Sequence, residues 1–483
     1  MEILRDLNPV AVFKHFESLT RIPRGSGNEL AVSHFLVEFA KNLKLEVIQD
    51  KVMNVIINKP ATPGYENSKR VILQGHMDIV CVKEDDLVFD FKKDPIPLVV
   101  DGDWVRTKGT TLGADNGIAV AMAMAILEST DLEHPPLTVL ITVEEETGML
   151  GVQNLNKKDV EGDIMINIDS EEEGEILASC AGGVRNMVSL PIEFQNNHEE
   201  HQIYELTISG LLGGHSGIEI NRRRGNALKL MGRILQALDQ NLELNIVSLN
   251  GGEKMNAIAK YAKAIISVKQ NQIDELKGIV NEYNHIFQNE FKVSDPKVKI
   301  NLKEINHQAK VLNDLAKQKL IQLLRLIPFG VQTMSASIEG LVESSVNLGV
   351  LETKEREIIF SCAIRSSVKS LKQEITGRIK ALCELAGAKS ELVADYPEWE
   401  YKADSPIREL MLKVYQELYG KSAEVKAIHA GLECGYLKEK LGEIDMVSVG
   451  PNIRGAHTPE ESLSISSTKR VYEFLCEVLK QLK

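Results

Sequence analysis

Apolar positions recur at helical spacing near the start of the chain. Val12, Phe13, Phe16 and Leu19 mark one face of a helix over 9–20, and Leu36, Phe39 and Leu43 mark a second that Asn28 can cap. Short β-branched runs at 45–48 and 55–58 follow. Three near-continuous apolar runs then predict buried strands: VILQG (71–75), PLTVLITV (136–143) and IMINI (164–168). Each ends in chemistry, the first delivering His76 and Asp78, the second Glu144, Glu145 and Glu146, the third Asp169. Between the first two, TKGTTLGADNGIAVAMAMA (107–125) reads as a Gly-rich turn, an acid at Asp115 and a helix of small apolar residues. Strands alternating with helical patterns imply an α/β layered domain, in which reactive residues collect at the carboxyl ends of the strands.

The texture changes near Leu190. Alternating strands (204–209, 257–268, 298–302, 358–363) are interspersed with helical patterns (227–238, 273–287, 312–326, 371–385), which predicts an inserted α+β segment long enough to be a double unit. Helices near 405–419 and 467–482 then flank VKAIHAG and DMVSVG, which read as further strands of the first sheet. The expected organisation is a discontinuous α/β domain over 1–186 and 393–483, interrupted by an α+β domain over 187–392.

A chain of 483 residues exceeds the usual single-domain size, and 43% hydrophobic with 26% charged residues is the composition of a globular protein. The net charge of -13 argues against nucleic-acid binding. No apolar run approaches the roughly 18 residues of a membrane span, and MEILRDLNPV lacks the pattern of a signal peptide, so a cytoplasmic location without membrane association is expected. Six cysteines without CxxC spacing argue against a disulfide scaffold or a cysteine-based zinc knuckle.

The strand ends together offer His76, Asp78, Asp115, Glu145, Glu146 and Asp169, and the C-terminal GPNIRGAHTP adds His457. Singly, each has a plainer reading: Asp115 could cap its helix, Glu144–Glu146 could be a solvated turn, His457 a loop histidine. Jointly, two imidazoles and several carboxylates suit zinc, and a shared carboxylate would let two metals sit roughly 3.5–4 Å apart. The polar stretch His198–His201 reads as a solvated loop, and Arg222–Arg224 as a solvated charge run.

The blocks GHMDIV, TTLGADNG, TVEEETG, NIDSEEEGEI, GGHSG, NGGEKMNAI, AIHAGLECG and GAHTPEE resemble, in order, the dinuclear zinc exopeptidase and aminoacylase superfamily. More narrowly they resemble its cytosolic aminoacyl-histidine dipeptidase branch. The resemblance implies a zinc-exopeptidase catalytic domain, a mixed sheet covered by helices, with an inserted α+β lid domain. It implies two Zn2+ per chain, replaceable by Co2+ or Mn2+: His76 and Asp169 on one, Glu146 and His457 on the other, Asp115 bridging and followed by a cis peptide to Asn116. Asp78 would orient His76, and Glu145 would be the base acting on a metal-bridging water. His215 in GGHSG would donate to the oxyanion, from its own chain or across an interface. Arg365 would clamp the substrate carboxylate, with Arg222–Arg224 as rivals for that role, Asn256, Asn347 and His429 as further substrate contacts and Glu433 lining the pocket. The implied activity is hydrolysis of unblocked dipeptides, preferentially Xaa-His including β-alanyl-histidine, by a homodimer. An N-acyl amino acid amidohydrolase or tripeptidase with the same metals is the alternative.

Overall fold

The central strands of the first sheet are the three apolar runs and one strand from near the C-terminus. The computed structural model describes residues 3–306 and 309–483. Its eight-stranded sheet runs Glu46–Gln49, Val55–Lys59, Leu137–Thr142, Val71–His76, Ile164–Asn167, Asp445–Ser448, Glu175–Cys180, Glu424–Ile428. The four middle strands are parallel, with His76 beside Thr142 and Gln74 beside Asn167. Parallel strands are shielded on both faces, which is why these runs are apolar throughout rather than alternating. Strands Val71–His76 and Leu137–Thr142 are buried at every position.

Helix Ala114–Glu128 packs on strand Val71–His76 and on helix Val10–Thr20, and it is buried all round from Asn116 to Leu127. Its small side chains permit that close approach. The second helix spans Leu30–Asn42 and starts after Glu29, not with a cap from Asn28, and Glu29 makes no side-chain cap bond. A separate four-stranded sheet, Ile453–Arg454, Ser462–Ser464, Trp104–Thr107, Leu98–Asp101, is assembled from two remote parts of the chain. It sets the loop that follows Thr107 beside the loop that precedes Ser462.

The chain groups into one unit of Met1–Ser179, Tyr401–Ala427 and Leu432–Lys483, and a second of Cys180–Glu400 and Ile428–Gly431. The second unit takes in the whole strand Gly182–Pro191, whose expected start at 187 came from a change in texture. That strand pairs along its length with Glu357–Ser366. The second unit has a nine-stranded antiparallel sheet. Four of its strands (Lys299–Glu304, His201–Ser209, Ala262–Lys269, Leu244–Gly251) meet four others (Val342–Thr353, Glu357–Ser366, Gly182–Pro191, Lys389–Tyr396) through the single pair Gly251–Leu351, and the ninth, Gly330–Met334, pairs with Val342–Thr353 beside that path. Each half carries two helices: Ala227–Asn241 and Ile273–Glu290 on one, Asp314–Leu326 and Lys369–Ala386 on the other. Two similar halves are the double unit suggested by the length. His201 is not in a solvated loop: it opens a strand, with its Nδ1 3.2 Å from Asn245 Nδ2 and 3.3 Å from Ser267 Oγ.

Candidate metal centre

His76 closes its strand with a ring only 1% exposed, and its Nε2 lies 3.3 Å from Asp115 Oδ1 and 3.5 Å from Asp169 Oδ1. The other oxygen of Asp115, Oδ2, lies 3.1 Å from Nε2 of His457, which is also 2.9 Å from Glu146 Oε1. Asp115 therefore faces one imidazole and one acid on each side. His76, Asp115 and Glu146 present ligand atoms all within 4.8 Å of one another.

The backbone that holds Asp115 is irregular. The Asp115–Asn116 peptide is cis, as the resemblance implied, and neither residue has helical dihedrals. Asp115 makes no capping bond to its helix, so the plain capping reading does not hold. That task falls to Glu461, which was not foreseen. Its Oε2 accepts from the N–H groups of Leu112 (2.7 Å) and Gly113 (2.9 Å), its Oε1 from those of Ala114 (2.8 Å) and Asp115 (3.2 Å). A carboxylate with four backbone donors is a strong anchor. Buried Arg24 holds the same turn from the other side, donating to Gly113 O (2.7 Å) and to Met77 O (2.8 Å), and so links the turns that carry Asp115 and His76.

Asp78 does more than orient a histidine. His76 Nδ1 lies 3.2 Å from its carbonyl and 3.4 Å from its carboxylate. The carboxylate also accepts from Glu145 N (3.0 Å), Glu146 N (3.2 Å) and Ser26 Oγ (2.8 Å), so it fixes the start of the short helix Glu145–Gly148. Of the adjacent acids, Glu146 reaches His457. Beneath the strand ends, buried Glu433 accepts from Gln74 Nε2 and Thr142 Oγ1, both at 2.6 Å, and Asn167 Nδ2 donates to Gln74 Oε1 at 2.5 Å.

Charge in this cluster is unbalanced. Burial pushes Glu433 up to about 8 and Asp169 up to about 6, and holds Glu145 well above the usual carboxylate range, with neighbouring acids adding to each. His457 is raised to about 11 by its bonds to Asp115 and Glu146. The buried cation, Arg24, spends its guanidinium on carbonyls and is itself pushed down to about 10 by burial. Two imidazoles and three carboxylates converging at these strand ends form a donor set that fits divalent cations, which would take the place of the protons that hold His76 and His457 against the acids.

The remaining expected residues lie in the second unit. His215 is half-buried, and its Nδ1 accepts from Gly217 N (3.2 Å) and Ile218 N (3.3 Å), which fixes the tautomer with a proton on Nε2. Burial and the nearby Arg365 lower its pKa. Arg365 donates from Nη1 to Tyr396 Oη at 2.8 Å, and its buried Nε has no hydrogen-bond partner. Asn256 and Arg365 line one cavity of about 370 Å3. Asn347 is buried, and its amide donates to Met255 O (2.9 Å) and Ala257 O (2.8 Å), so it holds the 255–257 loop. His429, buried, shares a 2.7 Å hydrogen bond between its Nε2 and Ser345 Oγ, and burial pushes it down to about 3. Arg222 and Arg224 pair with Glu219 at 3.3 and 3.0 Å.

A family model described as Peptidase family M20/M25/M40 matches residues 72–481. The chain is 40% identical over 482 residues to the cytosol non-specific dipeptidase of Escherichia coli K12, covering 100% of this chain and 99% of that protein. Its fold matches the crystal structure of aminoacylhistidine dipeptidase from Vibrio alginolyticus with a TM-score of 0.95 and 38% identity, over 99% of this chain and 98% of that one. An aminopeptidase from Bacillus cereus, 13% identical with a TM-score of 0.57 over 99% of each chain, shares the fold.

Proposed function

The chain belongs to peptidase family M20/M25/M40, and from that premise we propose that it is a metal-dependent dipeptidase acting on unblocked dipeptides, preferentially Xaa-His including β-alanyl-histidine. The observation that carries this reading is Asp115: its two oxygens face separate imidazoles, His76 at 3.3 Å and His457 at 3.1 Å, each accompanied by a further acid. His76 and Asp169 would hold one cation, Glu146 and His457 a second, with Asp115 shared. The donor set suits Zn2+, and Co2+ or Mn2+ as substitutes. When bound, such a pair acidifies a water and stabilises negative charge on the scissile carbonyl oxygen.

Glu145 is the proton carrier in this scheme. Its backbone is fixed by Asp78, and its carboxylate takes a proton from the attacking water and returns it to the leaving amine. The neighbouring acid Glu146, whose carboxylate approaches His457, takes the ligand role instead. His215, with its Nε2–H kept by the backbone donors on Nδ1, is proposed as the hydrogen-bond donor to the oxyanion. The second unit is proposed as the lid, over a span near 187–392, and Arg365 as the clamp for the free carboxylate of the dipeptide. Tyr396 holds Nη1, which leaves the Nε and Nη2 edge for a bidentate pair. Asn256 lines the same cavity, and His429 and Asn347 support the segments around it. We further propose a cytoplasmic homodimer.

Release of both amino acids from Ala-His and β-alanyl-histidine by purified, metal-loaded protein, with metal content measured in parallel, tests this reading. Turnover with roughly two metals per chain is expected; no turnover by metal-loaded protein would sink it.

A further inference from the structure

The cavity that holds Arg365 contains more positive charge than one carboxylate needs. Besides Arg365 it is lined by Arg185, Lys254, Asn256 and Tyr396, and no acid lines it. Among the described residues, none of these three cations takes part in an ion pair, although the chain carries a net charge of -13. Elsewhere in the second unit lysines and arginines do find acids: Lys372 lies 2.7 Å from Asp395 and 2.9 Å from Glu398.

The fold forces the cations together. Arg185 pairs with Ala363, and Arg365 with Gly183, on adjacent antiparallel strands. Residues two apart share a face, so the two arginines are diagonal neighbours on one side of the sheet. Like charges in that relation repel unless an anion lies between them. Gly183, opposite both Arg365 and Tyr396, leaves room for the phenol: a Cβ there would stand 2.4 Å from Tyr396 Oη. Lys254 arrives on a loop whose position is equally fixed. Gly252, at φ +74°, passes so close to Gly349 that a Cβ would overlap its carbonyl, and Asn347 ties down Met255 and Ala257.

We propose that this cavity is a subsite for dipeptides whose C-terminal residue is acidic, Arg365 taking the α-carboxylate while Arg185 and Lys254 take the side-chain carboxylate of Asp or Glu. The proposal rests on the reading of Arg365 as the carboxylate clamp. One guanidinium fork satisfies one carboxylate, so two unpaired cations in the same acid-free cavity fit a second. Since Arg185 and Lys254 are exposed, their contribution is screened by salt, and selectivity falls as ionic strength rises.

The experiment compares kcat/KM for Ala-Asp and Ala-Asn, near-isosteres that differ in charge, using full-length metal-loaded protein at low and high salt. The expected preference for Ala-Asp is roughly tenfold, on the order of two exposed charge pairs. Arg185→Gln and Lys254→Gln should each reduce that ratio by about threefold to fivefold. A ratio near one in the wild-type protein, or an undiminished ratio in both variants, overturns the acidic subsite. Arg365→Gln tests the parent reading separately. It should raise KM for both dipeptides; an unchanged KM with a ratio that still falls in the other two variants would overturn the clamp and keep the subsite.

Discussion

In the first unit negative charge accumulates where strands end; in the second, positive charge accumulates on one face of a sheet. The acids near His76 lie around two imidazoles and the buried cation Arg24, whose Nη1 and Nη2 donate to backbone carbonyls. Conversely, Arg185, Lys254 and Arg365 line a cavity without an acid. Folding normally pairs charges that it gathers, because burying or crowding them otherwise is costly. An acid cluster held together by two imidazoles and a cation cluster without an acid therefore mark places where a ligand completes the set: a cation in one, an anion in the other.

The contrast breaks most visibly at Glu145. Replacing it by Ala or Gln should lower kcat by about a thousandfold or more while metal content stays at the wild-type level. Loss of metal instead would exchange the roles of Glu145 and Glu146. Stripping metal with a chelator should abolish turnover, lower the melting temperature, and be reversed by Zn2+, Co2+ or Mn2+, because the acids repel one another without it. Glu461→Ala leaves four backbone N–H groups without their acceptor. A loss of about 2–3 kcal/mol in stability, with metal affinity down by about tenfold to a hundredfold, is expected from denaturation and metal titration. Glu461→Gln should be milder.

The smallest effect belongs to His429. Burial holds its pKa near 3 in the folded chain, against 6.5 when unfolded. Between these values the unfolded chain binds the proton and the folded chain does not, so stability rises with pH and is lost as pH falls below about 6.5. The slope is at most about 1.4 kcal/mol per pH unit. Urea titrations at pH 7 and 5.5 should therefore show a gap roughly 1 kcal/mol wider for the wild type than for His429→Gln. Equal gaps would show that His429 is no such proton-excluding group.

The strands carrying His76, the acid triplet and Asp169 were legible because a buried parallel strand is apolar at every position and the polar residue that ends it stands out. Helices of the second unit were legible from their periodicity. What the sequence did not disclose depends on contacts between remote segments. Glu461 acts on a turn 346 residues away, and nothing local separates it from Glu460. Arg24 looks like a surface residue until its carbonyl partners are known. Asp78 was read as a partner of His76, yet its additional bonds to the backbone of Glu145 and Glu146 required the register of two neighbouring strands. Arg185 and Arg365 are 180 positions apart and become neighbours only through the pairing of Gly182–Pro191 with Glu357–Ser366.

The anchor at Glu461 also bears on how the protein is made. His457 and Glu461 sit on one turn near the end of the chain, while the groups they complete lie before residue 150. A growing polypeptide on the ribosome thus exposes His76, Asp115 and Glu146 long before it holds the histidine and the acceptor that finish their arrangement. Synthesis order itself leaves His76, Asp115 and Glu146 without these two partners until residues 457–461 have been added.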